Sequence, residues 1–331
     1  KNRMKSQISI MQLVYPPISN QEAEWLKDIQ EVQEEIKNSN LYMICQRTEA
    51  FFEYSSTDID KCIKDDGIFR FTLNTKNVST SGEIDFNQLL DLQNISLEEN
   101  EIIKIDLGPK LIRLWTIDKE TGDNVDVIAW FTTESILFDK WQGHPAITGL
   151  DDYRKLTKYL LHYVGISKKE DSLTRLVIRP HDKRLRVLSN EEAKNYGSRL
   201  TDEVYFLFFK VNPMQITQIE TDEEMSELVN GVEVDLIPIV ADAEKAYVKI
   251  LNSKYNTVKY NSYPKGSDGL YDTGLTRYGY VIGEDISLIT DSESIEGKHI
   301  SESVGWPSTM DFIYICGDEV TLIKSKEQEN M

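Results

Sequence analysis

Apolar positions recur along this chain with two different periods, and the switches between them give a first map of its elements. Residues 20–38 carry Ala23, Leu26, Ile29, Val32 and Ile36 at three- and four-residue spacing. That spacing predicts one apolar stripe on a helix, with Asn20 as its cap. Residues 68–75 (IFRFTLNT), 101–107 (EIIKIDL), 111–118 (LIRLWTID) and 125–133 (VDVIAWFTT) alternate with period two instead. Alternation of this kind marks strands with one buried face. Short turn-forming links separate the last three, so they read as an antiparallel meander. Residues 41–54 read as another strand, interrupted near Thr48; 77–83 read as a turn, 84–92 as a short helix and 135–149 as irregular.

A second helix is predicted over 149–165, with Leu156, Tyr159, Leu160 and Tyr163 on its inner face and Gly165 as its stop. The next block reads as strand, turn and strand over 173–186, with a short helix at 190–196. The most apolar run, 203–211 (EVYFLFFKV), is expected at the centre of a sheet. Residues 221–231 read as a short acidic helix. Pro238 marks 232–241 as an edge or bulged strand, and 242–254 as a helix entering a strand at 256–261. The Gly- and Tyr-rich stretch 261–285 reads as a long loop, and 310–316 with 319–324 as a closing hairpin.

Strands outnumber helices and do not alternate with them, which predicts an α+β fold: a largely antiparallel sheet with several packed helices. At 331 residues the chain is at the size where single cores split. The expected division is an N-terminal α+β subdomain, 1–148, and a C-terminal one, 149–331, or one continuous domain.

Charge changes this picture locally. The chain has 56 acidic and 37 basic residues, a net of -19. Residues 151–200 run the other way, with 12 Lys/Arg against 7 Asp/Glu, which leaves -24 for the rest. The overall charge argues against a general nucleic-acid coat, while the local excess predicts a surface that meets an anion or an acidic partner. No run of 18 apolar residues occurs, so no membrane span is expected. The basic N-terminal stretch lacks a continuous apolar core and a small-residue cleavage site. Cys45, Cys62 and Cys316 form no CxxC pair and no disulfide framework, which fits buried thiols in a reducing, cytoplasmic setting.

Lys168, Lys169, Arg175, Arg179, His181, Lys183, Arg184 and Arg186 form the basic block. On a hairpin, Arg175 and Arg179 would share a face, as would Arg184 and Arg186, and paired guanidinium groups grip phosphates. Three readings stay open at this point: pairing with the protein's own carboxylates, a phosphate-bearing ligand or nucleic acid, and an acidic protein partner. A metal-dependent phosphodiesterase or nuclease would draw its Mg²⁺ ligands from acids such as Asp106 and Asp126, with Lys104 or His144 moving the proton. The sequence itself requires no cofactor. No GxGxxG, P-loop, HExxH or GxSxG motif occurs. The tyrosines at 255–280 suit either a recognition loop or a cap on the core. The leading expectation is a non-catalytic binding component of an intracellular complex, with a protein partner or oligomer; the nucleotide- or phosphodiester-directed enzyme is the alternative.

Overall fold

The computed structural model describes residues 5–167, 171–179, 181–217, 234–301 and 309–325. Along the chain come β1 (Lys5–Leu13), β2 (Ile18–Ser19), α1 (Asn20–Leu26), α2 (Gln30–Ile36), β3 (Leu41–Gln46) and β4 (Phe51–Glu53). They are followed by α3 (Ser56–Lys61), β5 (Ile68–Asn74), β6 (Ser79–Asp85), α4 (Phe86–Leu92), β7 (Glu101–Leu107), β8 (Leu111–Asp118) and β9 (Asn124–Thr132). Next are α5 (Thr133–Gln142), β10 (Ile147–Gly149), α6 (Tyr153–Leu156), β11 (Lys158–Ile166), a π-helical turn (Thr174–Ile178) and α7 (Asp182–Asn190). The remainder is α8 (Leu200–Glu203), β12 (Val204–Thr217), α9 (Leu236–Leu251), β13 (Arg277–Ile282), β14 (Ser287–Ile289), β15 (Ser294–Glu296), β16 (Phe312–Cys316) and β17 (Glu319–Ile323). This is a mixed α+β fold with several helices and largely antiparallel sheets. No helix among the described residues is long and apolar enough to cross a membrane.

The chain divides into two compact units. The first is Lys1–Arg47, Lys158–Ala193 and Arg199–Met331; the second is Thr48–Thr157 with Lys194–Ser198. The 148/149 seam drawn from the sequence falls inside the second unit, because β10 pairs back onto β6 there.

The first unit is built on one sheet in the order β15-β14-β11-β3-β12-β1-β13-β16-β17, with β2 also on β12. Its pairs are antiparallel except β1 with β13 and β11 with β14. As its apolar run predicts, β12 lies in the interior, between β3 and β1. On one face Tyr42, Ile44, Val204, Phe206 and Phe208 bury against Ala23 and Leu26 of α1, Val32 and Ile36 of α2, Leu176 and Val177 of the π turn, and Val187 of α7. The expected helix at 20–38 is two helices. Ser19, not Asn20, is the cap, in a reciprocal box with Glu22. The chain breaks at Lys27, whose carbonyl accepts from Gln33 Nε2 at 2.5 Å, and Ile29 is left 39% exposed outside the stripe.

Other expectations for this unit are overturned as well. Residues 158–166 are a strand, not a helix. Both faces of β11 are covered, so its period is hidden, and a bulge between Leu161 and Tyr163 mimics helical spacing. Residues 232–241 form no strand among the described positions; 236–251 is one helix, capped by Asp235, with Pro238 in the first turn where no donor is lost. No strand forms at 256–261. Instead the Asn256 side chain bonds the amide (2.9 Å) and carbonyl (2.8 Å) of Val164, completing the β11 edge. The expected helix at 190–196 is absent, α7 having ended at Asn190. The acidic helix expected at 221–231 lies outside the described residues.

The second unit holds an antiparallel sheet in the order β10-β6-β5-β4 and the meander β7-β8-β9. Residues 79–85 are a strand rather than a turn: their burial alternates, with Thr80, Gly82 and Ile84 inward. A Cβ on Gly82 would sit 2.7 Å from the Phe71 ring and 2.8 Å from Leu150, so only glycine fits the strand this close to the core. Residues 133–142 are helical, not irregular, started by a capping box between Thr132 and Ser135. Phe69, Phe71 and Phe86 stack in the core beneath the four-stranded sheet, at centroid separations of 6.4 and 5.8 Å.

Candidate functional site

The basic block folds as a π-helical turn and a helix, not as a hairpin. Leu173, Leu176 and Val177 recur at helical spacing and drop into the core over Tyr42 and Phe206. Asp171 starts the turn, accepting the Thr174 amide at 2.8 Å and its hydroxyl at 2.7 Å. His181 starts α7: its Nδ1 accepts the Arg184 amide at 3.2 Å. Nδ1 is therefore unprotonated, and Nε2–H donates to the Tyr42 hydroxyl oxygen at 2.9 Å. Arg175 Nε donates to the same oxygen at 3.1 Å. Burial and then the Arg175 and Arg184 charges hold the His181 pKa down at about 4, so the ring is neutral at physiological pH. Burial raises the Tyr42 pKa, opposed by the Arg175 hydrogen bond.

The arginines do not share one face. Arg184 turns inward, its side chain 12% exposed. Its Nε donates to Asn20 Oδ1 (2.7 Å), its Nη1 to the carbonyls of Val177 (3.1 Å) and Leu176 (3.5 Å), and its Nη2 to Glu24 Oε1 (2.5 Å). The guanidinium also lies 5.5 Å from the centroid of the Phe206 ring. One side chain thus ties α1, the π turn and α7 together. The Lys27 and Arg184 hydrogen bonds hold the Glu24 carboxyl below its ordinary pKa. Arg175, Arg179 and Arg186 are exposed. Lys183 Nζ stands 3.5 Å from Asp182. Lys168 and Lys169 lie outside the described residues.

The residues named for metal-assisted chemistry do not converge. Lys104 and Asp106 pair with each other on β7 at 3.4 Å, and Trp115 Nε1 donates to Asp106 at 2.7 Å. Asp106 stands opposite Arg113 of β8, whereas Asp126 of β9 stands opposite Thr116. The two acids are therefore on strands flanking β8 and three positions apart along it, roughly 10 Å lengthwise and roughly 10 Å across. One divalent ion, bound at about 2.0–2.6 Å, cannot take ligands from both. His144 follows the end of α5, accepts the Ala146 amide on Nδ1 at 3.2 Å and has its pKa lowered by burial. It shares no hydrogen bond or ion pair with the other three. Among the described residues no group of three or more His, Cys, Asp and Glu is placed to hold a metal ion.

Two polar features escaped the sequence reading. A groove of about 620 Å³ lies on the outward face of β4, β5 and β6, lined by Glu53, Tyr54, Asp58, Arg70, Thr72 and Ser81 among others. Its Arg70 is held by Asp66 (2.8 Å) and Glu83 (3.2 Å). Alternation at 68–75 pointed to this face, but reading 77–83 as a turn hid its second strand. The other feature is buried: Asp242 of α9 accepts hydrogen bonds from the Tyr263 (2.5 Å) and Tyr280 (2.8 Å) hydroxyls and the Leu270 amide (2.8 Å). Tyr255, Tyr263, Tyr278 and Tyr280 are all buried, so these tyrosines cap the core. The chain matches no protein-family model, no curated protein and no solved structure.

Proposed function

We propose that this protein is a non-catalytic binding component of a cytoplasmic assembly, docking through the basic face formed by 171–190. The observation that carries this reading is the division of labour among the arginines. Arg184 is spent inside, fixing the π turn and α7 on the sheet, and Arg179 and Arg186 are held outward on that base. A locally basic segment on a chain of net charge -19 suits charge-complementary docking. Replacing exposed Arg186 leaves the hydrogen bonds of Arg184 in place.

The test is recovery of tagged full-length protein from its native cells, with the mass of its complex measured by size exclusion with light scattering. Replacing Arg179 and Arg186 together by Ala is expected to release the partner and return a monomer, and raised salt is expected to do the same to the parent protein. An unchanged complex in the double variant, or purified monomer turning over a phosphate ester, would overturn the reading.

A further inference from the structure

The polar groove of the second unit has no part in the docking proposed above. Its floor is a rung across three strands: Glu53 of β4 stands opposite Thr72 of β5, and Thr72 opposite Ser81 of β6. All three point outward, since Phe52, Phe71, Leu73 and Thr80 alternate with them and are buried. The chain leaving β4 adds a wall. Tyr54 is half-buried there, its ring centroid 5.8 Å from that of Phe69, and Ser55 and Asp58 follow at the start of α3. The volume, about 620 Å³, falls within the range of about 300–1,000 Å³ that small-molecule sites occupy.

The lining selects among ligands. Arg70, on the next rung, has each nitrogen engaged by the protein's own oxygens. Its Nε lies 3.2 Å from Glu83, its Nη2 donates to Asp66 at 2.8 Å and its Nη1 to the Ile68 carbonyl at 3.2 Å. The groove thus sets the carboxylates of Glu53, Asp58 and Glu83 against one guanidinium that is already paired, and an anion is repelled. Phe71 is 3% exposed, so a lipid-like ligand has little to cover. Among the described residues no three acids, histidines or cysteines converge to hold a metal ion. Asp58 is engaged by the Ser55 hydroxyl at 2.5 Å. The side chains of Glu53, Thr72 and Ser81, by contrast, make no hydrogen bond or ion pair among the described residues. They are spaced about 5 Å apart from strand to strand and about 10 Å end to end, which a single ion cannot bridge.

We infer that this groove binds a hydroxylated organic cation, the chemistry of an amino sugar, with its ammonium on Glu53 and its hydroxyls on Thr72 and Ser81. An ammonium on a carboxylate makes a charge-assisted hydrogen bond, and a nearby phenol ring such as that of Tyr54 adds to the attraction. The site lies in the other unit from the docking segment and does not rest on that reading.

Isothermal titration calorimetry of the full-length protein, in mildly acidic buffer that keeps amines protonated, compares three probes. They are the glucosamine trimer, its N-acetylated counterpart, which keeps hydroxyls but has no ammonium, and spermidine, which has ammonium groups but no hydroxyls. The variants are Glu53→Gln and the Thr72→Val/Ser81→Ala pair, with amide exchange across β5 and β6 checking that the sheet stays folded. Glu53→Gln keeps the shape of an exposed side chain, so it reads the site even where the hydroxyl pair disturbs the strands. The expected result is saturable binding of the glucosamine trimer, weakened about tenfold or more in each folded variant and weaker by as much for the other two probes on the parent protein. Absence of saturable trimer binding would overturn the proposal, as would trimer binding that Glu53→Gln leaves unchanged. Acetylated trimer or spermidine binding as tightly as the glucosamine trimer would overturn it too, the first by removing the ammonium from recognition and the second by reducing the groove to a general attraction for cations.

Discussion

Arg184 and Arg186 are two residues apart, yet the structure assigns them opposite costs. Arg184→Ala removes the donors to Asn20, Val177 and Glu24, together with the guanidinium that lies over the Phe206 ring. Hydrogen bonds from a charged group contribute about 1.5–3 kcal/mol each when buried, and neutral ones about 1. Glu24 is 38% exposed and rehydrates, so that pair adds little. Asn20, 4% exposed, and the Val177 carbonyl stay behind without their donor. The sum is a loss of about 2–4 kcal/mol from the first unit. Arg186→Ala, at an exposed position, should stay within about 0.5 kcal/mol. Amide exchange read by mass spectrometry separates the two variants. Peptides covering 20–26 and 173–188 should exchange about 30- to 1,000-fold faster in Arg184→Ala, and peptides from β5 and β6 should be unaffected. Arg184→Lys should recover only part, since an ammonium cannot span α1 and the turn carbonyls at once. Equal exchange in Arg184→Ala and Arg186→Ala would refute the assignment of Arg184 as the tie.

Three further outcomes follow from buried titrating groups. His181 is neutral when folded, with a pKa of about 4 against 6.5 unfolded, so stability present above pH 6.5 should decline as pH falls toward 4. Allowing for partial exposure, that loss is about 1–2 kcal/mol; His181→Asn keeps a capping oxygen and should flatten this part of a urea-melt series, whereas parallel curves would refute it. Burial raises the Asp139 pKa to about 6, so its folded charge is penalised above that pH and the penalty fades as the folded state takes up a proton below it. Asp139→Asn should therefore gain about 2 kcal/mol at pH 7.5 and almost nothing at pH 4, and an equal change at both would contradict the burial argument. Asp242→Ala strands two tyrosine hydroxyls and the Leu270 amide and should cost about 3–5 kcal/mol, read as lost exchange protection across 260–271.

Strands with one wet face were the legible part of this fold. Those at 68–74 and 111–118 alternate because one side is buried and the other is partly open to water. Where both faces are covered, as in β11, the period disappears and a bulge substitutes a helical one. Ser, Thr and Gly made β6 look like a turn, although the glycine is there because Phe71 and Leu150 leave no room. The basic block was visible as charge, but its geometry was not. The phase mismatch of Leu173, Leu176 and Ile178 already argued against a strand, and the i, i+3, i+4 set of Leu173, Leu176 and Val177 pointed to a helix. What no local pattern could reveal is that Arg184 faces inward, because Asn20 and Glu24 lie more than 150 residues earlier in the chain.

The second unit interrupts the first, and this orders events during synthesis. β1 pairs with β12 and β13, as at Lys5↔Thr217 and Ser6↔Arg277. β12 leaves the ribosome about 200 residues later, a wait of about 10–40 s at translation rates of about 5–20 residues per second, and β13 about 270 residues later. β3, wholly apolar but for its last residue, waits about 120 residues for β11 and about 160 for β12. Residues 48–157, by contrast, contain every strand of the second unit's two sheets and can close while β1 and β3 are still unpaired. The inserted unit therefore matures inside an unfinished host. For that interval the nascent chain carries two unpaired strands on the N-terminal side of a finished module, edges of the kind that template pairing with other chains.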